Sequence, residues 1–74
     1  MGQRHGLVLV VEQDWRVGKL IRANLEALGL RVHVVIDCDR AIAHVREFGT
    51  DLILLERDAQ EMEILPFLAF LSNQ

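Results

Sequence analysis

The chain has 74 residues, a formal net charge of −3 and a hydrophobic fraction of 51%. A chain of this length forms one domain at most, and its apolar content is typical of a folding sequence rather than a disordered one. The scattered Lys and Arg argue against a nucleic-acid surface, and no apolar run approaches the ~18 residues of a membrane span. A single cysteine, Cys38, cannot form an internal disulfide, so we expect a reducing compartment, the cytoplasm.

Two short aliphatic runs predict buried strands. The first covers residues 7–11 and is followed by Glu12 and Gln13; the second covers residues 52–55 and is followed by Glu56. Neither run alternates with polar residues, which is typical of parallel strands covered on both faces, and the run at 52–55 is therefore expected in the middle of a sheet. Because ligands of such sheets gather at the carboxyl ends of the strands, these polar residues are the first candidates for a site.

Two amphipathic segments predict helices from Trp15 to Leu28 and from Cys38 to Phe48. An aspartate precedes each helix and a glycine follows it, which predicts an N-cap and an end. The capping and terminating residues are Asp14 and Gly29 for the first helix, and Asp37 or Asp39 and Gly49 for the second. The stripe of the first helix that should face the sheet consists of Val17, Leu20, Ile21, Leu25 and Leu28.

A third strand is predicted between the two helices, from Leu30 to Ile36, and His33 interrupts its apolar run as in an edge strand. After a polar loop from Glu56 to Glu63, the segment Ile64–Leu71 is apolar all round, so we expect a buried third helix with Pro66 in its first turn. Strands and helices therefore alternate. This order predicts an α/β fold with a parallel sheet and right-handed crossovers.

Four segments together resemble the first half of a response-regulator receiver domain, a CheY-like, flavodoxin-like fold. They are Leu7–Asp14, Leu25–Leu30, Asp37–Val45 and Asp51–Glu56, and the resemblance extends from Leu7 to Leu71. It implies a single, partial receiver-like domain over residues 1–74, truncated after the third helix, with strand order 2-1-3. In that order the strand at 52–55 becomes an edge. Its unpaired backbone predicts a homodimer, or the ordered part of a longer chain.

Receivers hold Mg²⁺ between an acidic pair after the first strand and a phosphoacceptor aspartate after the third. The resemblance implies that the pair falls on Glu12 and Gln13 and the acceptor on Glu56. Gln13 offers a neutral amide oxygen, and Glu56 moves the nucleophile outward by about 1 Å, a misplacement that can cost ~10²-fold in rate. These three residues are therefore weak Mg²⁺ ligands. The switch hydroxyl and phosphate-binding lysine of receivers have no counterpart among the matched residues.

The resemblance therefore implies a degenerate receiver, or pseudo-receiver: a non-enzymatic, regulatory protein-interaction module, as at the start of a transcriptional regulator. Its partners would be a histidine kinase or an output domain, met through the basic residues Arg16, Lys19 and Arg22. By themselves, these three residues are typical of a solvated helix face. A working receiver in a Mg²⁺-dependent phosphorelay is the alternative. A nucleotide-binding βαβ domain is a more remote one, because the turn after the first strand is acidic and has only the late Gly18.

Several single residues have competing interpretations. Glu56 could mimic the charge of a phosphorylated acceptor, or be a solvated carboxylate. Asp14 and Asp58 are interpreted as a helix cap and a loop residue rather than as phosphate acceptors. Trp15 is expected to pack, with a partner anchor as the alternative. The histidines, His5, His33 and His44, lie on different segments without metal-ligand spacing and are expected at the surface.

Overall fold

The computed structural model describes residues 6–55, 69, 70 and 72 of the chain. The elements in chain order are β1 (Leu7–Val11), α1 (Trp15–Glu26), β2 (Arg31–Val35), α2 (Cys38–Phe48) and β3 (Leu52–Leu55). The alternation of strands and helices is thus confirmed as far as β3. The predicted loop at 56–63 and most of the predicted third helix lie outside the described residues, although residues 69, 70 and 72 are helical.

The three strands form one parallel sheet in the order β2-β1-β3. The prediction that residues 52–55 lie in the middle of the sheet is wrong, because β1 holds that position and β3 is at an edge. Leu52 and Leu54 are exposed, whereas the intervening Ile53 packs into the core. Among the described residues, Ile53 and Leu55 of β3 pack into the cluster that also contains Phe70, whereas Leu52 and Leu54 on the other face are exposed, so the uninterrupted aliphatic run does not mean two buried faces.

Each face of the sheet carries one helix and one apolar cluster. The cluster beneath α1 contains Val8, Val10 and Val32, with Ile21, Leu25, Leu30 and Val34 packed around them. The cluster beneath α2 contains Leu9, Val11, Val35, Cys38 and Ala41, with Ile42, Val45, Ile53, Leu55 and Phe70 packed around them. Alternate residues of β1 enter opposite clusters, so the central strand is buried on both faces.

Helix α1 approaches the sheet closely at Gly18, which is the buried residue of this helix. A Cβ added there would lie 2.8 Å from Cγ1 of Val34, a distance at which something must shift. The helix therefore rests on Gly18, Ile21 and Leu25, one residue per turn. The predicted stripe was too wide: its remaining members are exposed, namely Val17, Leu20 and Leu28.

Both predicted N-caps and both glycine ends are confirmed. Asp14 accepts a hydrogen bond from the N–H of Arg16, and Asp37, not Asp39, caps α2 by accepting from the N–H of Arg40. Helix α1 ends two residues earlier than predicted, at Glu26. There Gly29, with φ +89°, donates to the Glu26 carbonyl while the N–H of Leu30 donates to the Leu25 carbonyl, as in a Schellman motif.

Strand β2 is at an edge, as predicted, and is one residue shorter at each end than the predicted segment. Gly49 adopts φ +71° after α2 and donates to the Val45 carbonyl. Within the described part of the chain, no helix has both the length and the apolar character needed to cross a membrane.

Candidate functional site at the carboxyl edge of the sheet

The parallel register aligns the carboxyl ends of the three strands. Val11, the last residue of β1, pairs with Val35 of β2 and with Leu55 of β3. The residue that follows β1 is Glu12, the first of the candidate site residues. Glu56, the candidate acceptor position, follows β3 in sequence and lies outside the described residues, as does Asp58.

Glu12 is held in place by its backbone and by its side chain. It is only 7% exposed, and its N–H donates to the Val35 carbonyl at 2.9 Å, which extends the pairing of β1 with β2. Its carboxylate Oε2 accepts from the backbone N–H of Asp14 at 3.1 Å. Gly18 of α1 lies beside this side chain: a Cβ at Gly18 would be in ordinary van der Waals contact with Cγ of Glu12, at 3.8 Å. These hydrogen bonds hold Glu12 in place and link it to the turn that leads into α1.

The two residues after Glu12 have separate roles. Gln13 is exposed, and no hydrogen bond holds its side chain among the residues that the structure describes. Asp14 is the cap of α1, and its Oδ1 accepts from the N–H of Arg16 at 2.9 Å. That backbone hydrogen bond lowers the pKa of Asp14, with smaller contributions from the Arg16 side chain, against an opposing effect of partial desolvation. The prediction of a helix cap at Asp14 is confirmed.

Among the described residues, the carboxylates at this edge do not by themselves form a ligand set for Mg²⁺. Magnesium requires an octahedron of oxygen ligands near 2.0–2.1 Å. The Glu12 carboxylate is buried against the start of α1, and the Asp14 carboxylate is occupied by capping. Across residues 6–55, 69, 70 and 72, no three His, Cys, Asp or Glu side chains are grouped so as to hold a metal ion.

The basic residues of α1 are exposed, and two of them form ion pairs with carboxylates at the cap and in the last turn of the helix. Arg16 lies 3.4 Å from the Asp14 carboxylate and Arg22 lies 3.1 Å from that of Glu26, an i,i+4 pair. Lys19 places its Nζ 5.0 Å from the centre of the Trp15 ring. Trp15 itself is 61% exposed, so the expectation that it packs into the fold is not met. The start of α1 thus presents an exposed aromatic ring with the Lys19 ammonium beside it.

Two of the three histidines, which sequence reasoning treated as separate surface residues, are in contact. The rings of His33 on β2 and His44 on α2 stack at a centroid distance of 4.2 Å, and Phe48 lies beside His44 at 5.0 Å. Periodicity could have revealed this contact. His33 shares the α2 face of β2 with Val35, and His44 follows the buried Ala41 by three residues.

His44 is the more enclosed of the two rings. Its Nδ1 is buried and has no hydrogen-bond partner. Burial lowers the pKa of His44, the adjacent His33 lowers it further, and Glu47 acts in the opposite direction. The neutral ring is therefore favoured, as expected for a structural side chain between a helix and a sheet.

Comparison with known proteins adds no family assignment. No family model matches the chain, and neither a curated protein nor a solved structure matches it.

Proposed function

We propose that the chain is a regulatory protein-interaction module of the response-regulator receiver type that does not run the ordinary phosphorylation cycle. The observation that carries this proposal is the parallel pairing of β1 with β3, in which Val11 is the partner of Leu55, within a sheet of strand order 2-1-3. In a receiver the acidic pair and the phosphoacceptor follow these two strand ends. Here the corresponding residues are Glu12, Gln13 and Glu56.

The chemistry of the described residues supports an inactive site. Phosphoryl transfer to a carboxylate depends on a correctly placed nucleophile and on a hard cation that neutralises the phosphoryl charge. Oε2 of Glu12 accepts a hydrogen bond from the Asp14 N–H, and the exposed Gln13 supplies a neutral amide in place of a carboxylate. A glutamate at the acceptor position adds a further displacement of about 1 Å.

A protein partner is proposed to bind the start of α1. The exposed Trp15 supplies a large apolar contact, and Arg16 and Lys19 supply positive charge beside it. Exposed aromatic and arginine side chains are the residue types that most often dominate binding energy at protein interfaces. By the receiver resemblance, the partner is a histidine kinase or an output domain such as that of a transcriptional regulator.

Self-association is proposed through the outer edge of β3. Its four residues, Leu52–Leu55, are all aliphatic, and none is a charge or proline of the kind that protects natural edge strands. A twofold axis would pair two such strands antiparallel without placing like charges opposite each other. The expected species is a homodimer with a sheet continuous across both protomers.

The proposal is tested by incubation with acetyl phosphate and Mg²⁺, followed by intact-mass measurement. The wild-type chain should gain no mass, and the double variant Gln13→Asp, Glu56→Asp, which restores the receiver residue types, should gain one phosphoryl group. Glu56→Asp alone serves as the matched control for nucleophile length. A phosphoryl gain on the wild-type chain would instead identify a working receiver with a glutamate acceptor.

The charge-mimic hypothesis has its own comparison. If Glu56 stands in for a phosphorylated acceptor, Glu56→Gln should weaken partner binding or dimerisation. Glu12→Gln removes a carboxylate from the neighbouring strand end, not from the acceptor position, and therefore should not remove the mimic. Equal behaviour of wild type and Glu56→Gln excludes the mimic. The pseudo-receiver proposal does not depend on this outcome.

A further inference from the structure

A concave site lies at the opposite end of the sheet from Glu12. An open cleft of about 390 Å³ lies between the last two turns of α2 and the first residues of β1 and β2. This volume is within the range of small-molecule sites in proteins, roughly 300–1,000 Å³. The residues that line it are Leu7, Arg31, Val32, His33, His44 and Phe48. Since β1 spans Leu7–Val11, the cleft is separated from the carboxyl edge by the length of the strand, roughly 13 Å.

One wall of the cleft is built from planar rings. His33 and His44 stack with an interplanar angle of 17°, and Phe48 is tilted by 43° against His44. Leu7 adds apolar surface. A flat unsaturated ring would find both a stacking partner and an apolar floor there.

The polar groups of the cleft are basic. Arg31 is exposed at the amino end of β2, and it forms no ion pair with any other described residue. None of the six lining residues is acidic, although the chain as a whole carries a net charge of −3. Glu47 is the neighbouring acid whose charge acts on His44. An unpaired guanidinium beside an apolar, ring-lined cleft is suited to a carboxylate, which it can bind with two parallel N–H···O bonds.

We propose that the cleft between α2 and the amino ends of β1 and β2 binds a small aromatic carboxylate. Its ring stacks on the wall formed by His33, His44 and Phe48, and its carboxylate pairs with the guanidinium of Arg31. This site is independent of the proposed receiver-like function, because it shares no residue with the carboxyl edge or with the exposed start of α1.

The test is a two-dimensional ¹H–¹⁵N NMR titration of the full chain with 1-naphthoate. A ligand of this size in an open cleft should bind with a dissociation constant on the order of 1 mM. The amide shifts should be saturable and concentrated at residues 31–33 and 44–48. Cyclohexanecarboxylate keeps the charge but lacks the aromatic ring, and 1-naphthylmethylamine keeps the ring but reverses the charge, so both should bind several-fold more weakly.

Variants separate this site from nonspecific binding. Arg31→Gln should weaken 1-naphthoate binding about tenfold, which corresponds to one charge-assisted contact. Arg22→Gln is the matched control, because it removes an exposed arginine from the helix on the other face of the sheet, and it should leave the affinity unchanged. The proposal is overturned if Arg31→Gln binds as tightly as the wild type, if the amine binds as tightly as the acid, or if the shifted amides lie elsewhere.

Discussion

Replacement of Gly18 by alanine tests how α1 packs on the sheet, because two effects of known size act in opposite directions. Alanine in a helix interior is favoured over glycine by about 1 kcal/mol. The new Cβ, however, would lie 2.8 Å from Cγ1 of Val34. Val34 is β-branched and stiff, so it cannot turn away easily, and overpacking of this kind costs about 1–3 kcal/mol. We therefore expect Gly18→Ala to lower the free energy of unfolding by about 1 kcal/mol.

The companion variant Val34→Ala removes the atom that the new Cβ would meet. In that background Gly18→Ala should become stabilising by up to about 1 kcal/mol, so that the double-mutant cycle gives a coupling of about 2 kcal/mol. Urea unfolding followed by far-UV circular dichroism measures all four proteins. The packing account is refuted if Gly18→Ala stabilises the wild-type background as much as the Val34→Ala background, since α1 would then not rest on Val34.

Three further predictions concern other parts of the fold. The pKa of His44 is lowered by burial and by His33 from an ordinary 6.5, so folding favours the neutral ring; this contribution is complete above pH 6.5 and is lost as the pH falls towards the folded-state pKa. The urea midpoint of the wild type should therefore decrease as the pH is lowered from 7.5 to 5.5, and that of His44→Gln should decrease less. An equal decrease in both proteins would show that His44 is not enclosed. Asp37→Ala should cost about 1 kcal/mol in urea unfolding because it removes the cap of α2, while Asp39→Ala should cost much less; equal costs would reject the cap assignment. Leu54→Lys should abolish self-association in sedimentation at micromolar concentration, with Leu28→Lys on α1 as an exposed leucine control, and a wild-type monomer under these conditions would reject the β3 dimer.

Local patterns in the sequence predicted the elements well because their signals are themselves local. Asp14, Asp37 and Gly49 act on backbone groups a few residues away, so capping and termination follow from neighbouring residues. The faces of the elements were harder to predict. Leu52 and Leu54 are of a residue type that is usually buried in strands, and their exposure depends on which elements cover β3.

The width of the buried stripe on α1 also depends on tertiary packing. A glycine at position 18 brings the helix axis close to β2, and the contact narrows to Gly18, Ile21 and Leu25. The sequence gives a helix propensity penalty for Gly18 but no sign of the facing Val34. The His33–His44 stack also depends on tertiary packing, because it forms only where the facing sides of β2 and α2 meet.

At the candidate site, sequence reasoning identified the strand end that carries Glu12 but not what the side chain does. The short turn from Glu12 to Asp14 allows the Glu12 carboxylate to accept a hydrogen bond from the Asp14 N–H, and this local bond stabilises the turn. Its role as a metal ligand depended on residues brought together across the sheet. The described residues do not assemble such a set.

The claim on which the account depends is that β1 and β3 run side by side in the same direction, so that the residues after Val11 and Leu55 begin at one edge. Amide-to-amide and amide-to-Hα nuclear Overhauser contacts in a ¹⁵N-labelled sample measure this directly. The account predicts contacts that advance together along both strands, from Val8 with Leu52 to Val11 with Leu55. Contacts that run in opposite directions, joining Val8 to Leu55 and Val11 to Leu52, would contradict it.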